Sequence, residues 1–165
     1  MATAAALKPL LLLRPCLTLA AAESLTGGHV QAAITAVSGS SGYFLGGVTA
    51  YTLDQKVRLL GVNRAHARRV NCVSQRVAVE MAAGAADLFG ADLAVATTGY
   101  AQPSPGDGVR TPFAWWALCH RRRGGRSEVL SGQVEVRGAK RVAVQQRVAD
   151  EVLRALLAYL RERRG

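Results

Sequence analysis

Residues 17–30 read LTLAAAESLTGGHV, and the fold turns on this stretch. Leu17 to Ala22 is short and apolar, as a buried strand requires. A polar cluster of Glu23, Ser24 and Thr26 follows, then two glycines, Gly27 and Gly28. Val30, Ala33, Ile34 and Val37 come next at the i, i+3, i+4, i+7 spacing of an amphipathic helix. A strand that turns through glycines into a helix offers backbone N–H groups at the strand end where open α/β sheets bind ligands. Glu23, Thr26, Gly27 and Gly28 are therefore candidate ligand contacts. The competing reading is that Ser24 or Thr26 only caps the helix and the glycines only turn the chain.

Outward from this junction the pattern continues as alternating elements. SGSSGYFLGG (38–47) punctuates, and its serines Ser40 and Ser41 suit either a flexible turn or a substrate cradle. GVTAYT (47–52) reads as a second strand, and Asp54 to Leu60 as a short helix closed by Gly61. Ser74 caps a longer helix that presents Val77, Met81, Ala85 and Leu88 on one face, with Gly90 as terminator. Asp92 to Thr97 reads as a strand, and GYAQPSPGDG (99–108) as irregular. FAWWALC (113–119) and EVLSGQVEV (128–136) form a strand pair joined by the basic turn HRRRGGRS. Ala149, Val152, Leu153, Leu156, Leu157 and Leu160 mark a closing helix with a frayed basic end at RERRG, and Arg137 and Arg141 are placed four apart at its start. The order βαβα(α)βββα predicts an α/β domain with a mixed sheet covered by helices.

Composition narrows the function classes. The chain has 165 residues, half of them hydrophobic and 19% charged, which suits one globular domain and excludes disorder as the main state. Cys16, Cys72 and Cys119 are too few for a disulfide scaffold and read as reduced thiols. His29, His66 and His120 are far apart in sequence, so no metal and no cofactor are expected. The apolar run Pro9 to Leu13 is short for an exported segment, and nothing approaches a membrane span, so a cytoplasmic location is expected. A net charge of +10 favours an anionic partner. With 5% aromatic residues and no recognised reading motif, a basic nucleic-acid module built on HRRRGGR is the weaker version of that partner. Trp115 and Trp116, read as a pair on an exposed strand, raise a homo-oligomer as a possibility to test.

Only Lys8, Lys56 and Lys140 are lysines among 21 basic residues, and Lys56 follows a predicted strand in YTLDQK. It is either a solvated surface group or a chemical one. Arg137 and Arg141 oppose the helix macrodipole, a placement that an anion would relieve and that water would equally tolerate.

AESLTGG, SGSSGYFLGGVTAYTLDQKVRLLGV, VSQRVAVEMAAGA, TTGYAQP and VEVRGAKR, in this order, resemble the C-terminal domain of the CinA competence/damage-inducible family over about residues 17–160. That domain also occurs alone as the bacterial nicotinamide mononucleotide deamidase. The resemblance implies a three-layer α/β/α fold, one domain over 1–165, and metal-independent hydrolysis of the carboxamide of a small anionic pyridine nucleotide. It puts Ser24 on the family's proposed nucleophile and Lys56 on the Lys that follows its YSN segment. Tyr51 matches the Tyr of that segment, Thr98 the Ser or Thr before the Gly of TGIAGP, and Arg137 and Arg141 the paired arginines near the last helix. On this reading Lys56, its pKa lowered from about 10.4, is the base for Ser24. Backbone N–H groups around Leu25 to Gly28, or near Thr98 and Gly99, would stabilise the oxyanion. Arg137 and Arg141 would hold the phosphate with Ser40 and Ser41, while Tyr51 either orients Lys56 or is a half-buried strand residue.

The chain departs from the family pattern at Leu25, Ser38, Thr52 and Leu53, and most in the segment 102–114. There Gln102, Ser104, Pro105, Phe113 and Ala114 stand where glycines, Lys or Val are expected. Filling such glycines is expected to reshape or close the pocket and weaken turnover. A paralogue that binds nucleotide without catalysis is therefore the alternative to the enzyme.

Overall fold

A computed structural model describes residues 2–122, 124 and 126–164. In chain order the elements are α1 (Ala2–Leu12), β1 (Leu19–Glu23), α2 (His29–Thr35), β2 (Phe44–Thr49), α3 (Leu53–Leu60), α4 (Arg64–Arg69) and α5 (Gln75–Phe89). They continue with β3 (Leu93–Gly99), β4 (Phe113–His120), β5 (Glu128–Glu135) and α6 (Arg141–Arg164). The sheet order is β2-β1-β3-β4-β5. β1 runs parallel to β2 and β3, while β4 is antiparallel to β3 and β5. Because the chain leaves β1 for β2 on one side and returns to β3 on the other, the topological switch lies between β1 and β3, at their carboxyl ends.

Strand alternation divides the core. Leu19, Ala21, Leu93, Val95 and Leu118 face α1, α2 and α6, where they pack with Leu7, Leu11, Ile34, Leu153, Leu156 and Leu160. Their neighbours Ala20, Ala22, Ala94, Ala96 and Ala117 face the other layer. There α5 brings Val77, Ala78, Met81, Ala82, Ala85 and Ala86 onto a sheet surface made of methyl groups, so helix and sheet backbones lie close together. The result is the expected three-layer α/β/α arrangement.

Several local expectations hold. The Ser74 side chain accepts from the Val77 N–H, and Gly90 and Gly61 end their helices in the left-handed region. Others need correction. α1 is not among the expected elements: in the sequence its apolar run from Pro9 reads only as too short for an exported segment, whereas Ala4, Leu7 and Leu11 are buried in the core beside α6. α4 is likewise not among the expected elements; it is a six-residue helix capped by Asn63. The second strand is Phe44–Thr49, so Tyr51 lies outside it and Thr52 is instead the cap of α3. α2 stops at Thr35, short of Val37. The basic end of α6 is not frayed: Arg164 donates to the carbonyls of Leu10, Leu13 and Pro15 and so satisfies the end of α1. Trp115 and Trp116 sit on an interior strand, half-buried on opposite faces, which removes the exposed pair invoked for self-association. The basic turn 120–127 lies partly outside the described residues, at 123 and 125.

Gly84, in the middle of α5, lets α3 seat against it: a Cβ there would lie 2.1 Å from the Leu60 carbonyl oxygen. Helix propensity alone favours Ala over Gly by about 1 kcal/mol, whereas overpacking costs about 1–3 kcal/mol. Gly84→Ala is therefore expected to lower stability in a denaturant titration. A variant as stable as the parent would contradict this packing.

Candidate active site

The carboxyl ends of β1 and β3, the loop from β2 to α3, the turn after α4 and the segment 100–104 enclose a cavity of about 480 Å³. Ser24, Leu25, Lys56, Cys72, Thr98 and Gly99 form its inner wall, and Tyr51, Gln102 and Arg141 stand at its exposed rim. The volume suits a nucleotide-sized ligand. Gln102, Pro103 and Ser104 line the wall rather than fill the space, so the replaced glycines do not close the pocket.

Ser24 is the first residue past β1. Its N–H donates to the Thr97 carbonyl (3.0 Å), which extends the strand pairing by one step and fixes the backbone of the side chain that enters the pocket. Lys56 comes from α3 on the opposite wall and is 1% exposed. Its Nζ donates to Ser24 Oγ (2.9 Å), the Ala50 carbonyl (2.8 Å) and the Tyr51 carbonyl (3.0 Å). Burial pushes the Lys56 ammonium below the ordinary lysine value, and Cys72 nearby opposes that push.

The three partners differ in kind. Carbonyl oxygens only accept, so when Lys56 is neutral its two N–H bonds stay on Ala50 and Tyr51. The lone pair is then directed at Ser24, whose hydroxyl can reverse roles and donate. Deprotonation thus produces a base aimed at one hydroxyl, with no rearrangement of the backbone around it.

Other predicted residues divide into two groups. Thr98 lies in the wall, but its hydroxyl donates to the Cys72 carbonyl (2.7 Å) and so holds the turn in which Asn71 and Cys72 adopt positive φ. Gly99 cannot be larger, since a Cβ would meet the Phe113 carbonyl at 2.4 Å. Tyr51 holds Lys56 through its backbone, while its hydroxyl accepts from Arg141 (2.7 Å). Arg141 also donates to Gln102 Oε1 (3.2 Å), so both recorded partners of its guanidinium are uncharged.

The remaining predicted contacts lie away from the cavity. Glu23 is fully buried, and its carboxylate accepts from the N–H groups of Gly28 (2.9 Å), Val30 (3.1 Å) and Gln31 (2.9 Å). The start of α2 is therefore occupied by the protein's own anion, and neither Ser24 nor Thr26 is the cap. Thr26 Oγ1 instead pairs with Thr97 Oγ1 (2.7 Å). Gly27 and Gly28 serve the turn through φ values of 59° and 104°. Ser40 and Ser41 precede β2, which is parallel to β1, so they sit at the opposite end of the sheet from Ser24. Arg137 lies before α6 rather than on it, pairs with Glu135 (3.2 Å) and does not line the cavity. Asn71 and Cys72 were overlooked as pocket residues; the only sequence cue was an Asn, which tolerates positive φ, before a predicted cap.

The described residues contain no group of three His, Cys, Asp or Glu placed to hold a metal ion and no helix long and apolar enough to cross a membrane. The CinA C-terminal domain profile matches residues 3–160, which adds α1 to the segment that resembles the family. A CinA-like protein of Chlorobium limicola is 41% identical over 150 residues, covering 88% of this chain and 34% of the relative. A CinA-like protein of Chlorobaculum tepidum is 40% identical over 158 residues, covering 92% and 36%. The chain thus spans about a third of the length of these relatives. Among solved structures, the competence damage-inducible protein A of Klebsiella pneumoniae superimposes with a TM-score of 0.84 at 28% identity, covering 96% of this chain and 95% of that one. This chain belongs to the CinA C-terminal domain family.

Proposed function

We propose that this chain is an amidohydrolase that uses Ser24 and Lys56 to convert nicotinamide mononucleotide and water to nicotinate mononucleotide and ammonia. The observation that carries the reading is the buried Nζ to Oγ contact, in which two carbonyls leave the amine lone pair only a hydroxyl to act on. Neutral Lys56 removes the Ser24 proton as Oγ bonds to the carboxamide carbon. The Leu25 N–H, which has no acceptor among the described residues and comes from a residue that lines the cavity, is a backbone donor for the oxyanion. The Lys56 ammonium then returns its proton to the departing nitrogen, and ammonia leaves behind an ester on Ser24. Water, deprotonated by Lys56, attacks that ester; the carboxylate is released and Ser24 regains its proton. The cationic pyridinium of the substrate adds to burial in disfavouring the ammonium form. Arg141, held by uncharged partners at the rim, supplies the positive charge for the 5′-phosphate.

Ammonia release from purified protein tests the reading. Ser24→Ala, Lys56→Met and the double variant are each expected to lose activity by a similar factor, on the order of 10³ or more, because the pair acts as a unit. Lys56→Arg is expected to fail equally, since a guanidinium does not deprotonate near neutrality. Parent-level turnover in any of these variants would refute the dyad. Nucleotide binding in calorimetry without ammonia release from the parent would identify the silent paralogue instead.

The pH dependence follows from the same contact. Protonated Lys56 has no lone pair, so kcat/KM is expected to rise with pH through an ascending limb set below the ordinary lysine value. An ascending limb at or above that value would remove Lys56 as the base.

Arg141→Ala is expected to raise KM for the nucleotide about 10–100-fold, the scale of a charge-assisted contact, while leaving the dephosphorylated nucleoside unaffected. Equal losses on both substrates would remove the phosphate assignment.

A further inference from the structure

In the loop that carries Ser24, all carbonyls from Glu23 to Thr26 but one are taken up by backbone N–H groups. The Glu23 carbonyl accepts from Ala50 N–H (2.9 Å), that of Ser24 from Gly27 N–H (3.1 Å) and that of Thr26 from His29 N–H (3.1 Å). Leu25 is the exception. Its carbonyl accepts from the side-chain amide of Gln145 (2.8 Å), 120 residues away on α6. The same Nε2 lies 3.6 Å from where a Cβ on Gly27 would be, so the amide covers the turn as well as bonding to it. Leu25 itself packs with Val144 and Val148 of α6, which flank Gln145 in sequence. Arg141, one helical turn earlier, reaches the rim of the same cavity.

We propose that Gln145 is a positioning residue for the nucleophile. A planar trans peptide fixes the direction of its N–H once its carbonyl is fixed. The Ser24–Leu25 peptide is set by Gly27, and the Leu25–Thr26 peptide is set by Gln145. Leu25 is thereby clamped on both sides, which holds the turn that directly follows Ser24 and the pocket-wall N–H assigned to the oxyanion. Two glycines at positive φ follow at 27 and 28, and the Gln145 bond joins the Thr26–Thr97 hydroxyl contact in tying this turn to the rest of the fold.

The inference rests on the Ser24–Lys56 reading, and a test independent of substrate separates the two. A small sulfonyl fluoride reacts when Ser24 Oγ bonds to sulfur, fluoride leaves and Lys56 takes the hydroxyl proton. Its labelling rate at Ser24, read by mass spectrometry, reports nucleophile alignment whatever the natural substrate. Gln145→Met keeps the volume and removes the donor, and is expected to slow labelling about tenfold, the scale of one hydrogen bond. Gln145→Arg keeps N–H donors and is expected to stay within about threefold of the parent. Both are compared at a temperature where circular dichroism shows each protein folded. Parent-rate labelling of Gln145→Met, or an equal fall in Gln145→Arg, overturns the proposal. A parent that labels at Ser24 but releases no ammonia from the nucleotide overturns the substrate reading, while the variants still decide the role of Gln145. A parent that does not label at Ser24 overturns both.

Discussion

A lysine amine that is 1% exposed must have its hydrogens taken up by neighbours, and the way Lys56 does so organises this site. Two of its three partners are carbonyls from the chain between β2 and α3, and the third is the hydroxyl of Ser24 at the end of β1. The contact therefore ties three features together: the parallel pairing of β1 with β2, the capped start of α3, and the seating of α3 on α5 at Gly84. A slip in the β1–β2 register would carry the Ala50 carbonyl away from Ser24 and leave the amine without a full set of acceptors. Burial also does chemical work, because the same desolvation that disfavours the ammonium makes the lone pair available.

The residue before Ser24 solves a different problem. The start of α2 leaves several N–H groups without helical partners, and one buried carboxylate, Glu23, takes three of them. Polar residues around Ser24 are thus divided between architecture and chemistry. Glu23, Thr26 and Gln145 hold the loop, while Ser24 and Lys56 meet across the cavity. Arg141, the cation proposed for anion recognition, stands at the rim, away from the start of α2.

The sheet, its flanking helices and the pairing of Ser24 with Lys56 were legible in the sequence. Alternating apolar strands and glycine-marked helix ends follow short-range rules, and the family strings fall on the residues at the strand ends. What stayed hidden depended on long-range contacts. α1 is a helix whose buried face packs chiefly against α6, at the other end of the chain. Glu23 looked like a ligand contact because its composition is the same whether it faces solvent or the next helix. Ser40 and Ser41 looked like part of the cradle because nothing in their sequence tells which end of a parallel sheet they occupy. Arg137 was placed beside Arg141 on the assumption that α6 starts earlier, whereas the helix begins only at Arg141.

The central claim is the proposed role of Lys56 as a base aimed at Ser24 rather than a structural cation, with burial lowering its pKa from the ordinary lysine value. The chain has only three lysines, so NMR of protein carrying 13C-labelled lysine resolves the Cε signals of Lys8, Lys56 and Lys140, with Lys56→Met assigning the one that disappears. Followed against pH, the Lys56 signal is expected to titrate below the ordinary lysine value. A Lys56 signal that titrates at or above the ordinary lysine value would contradict the account.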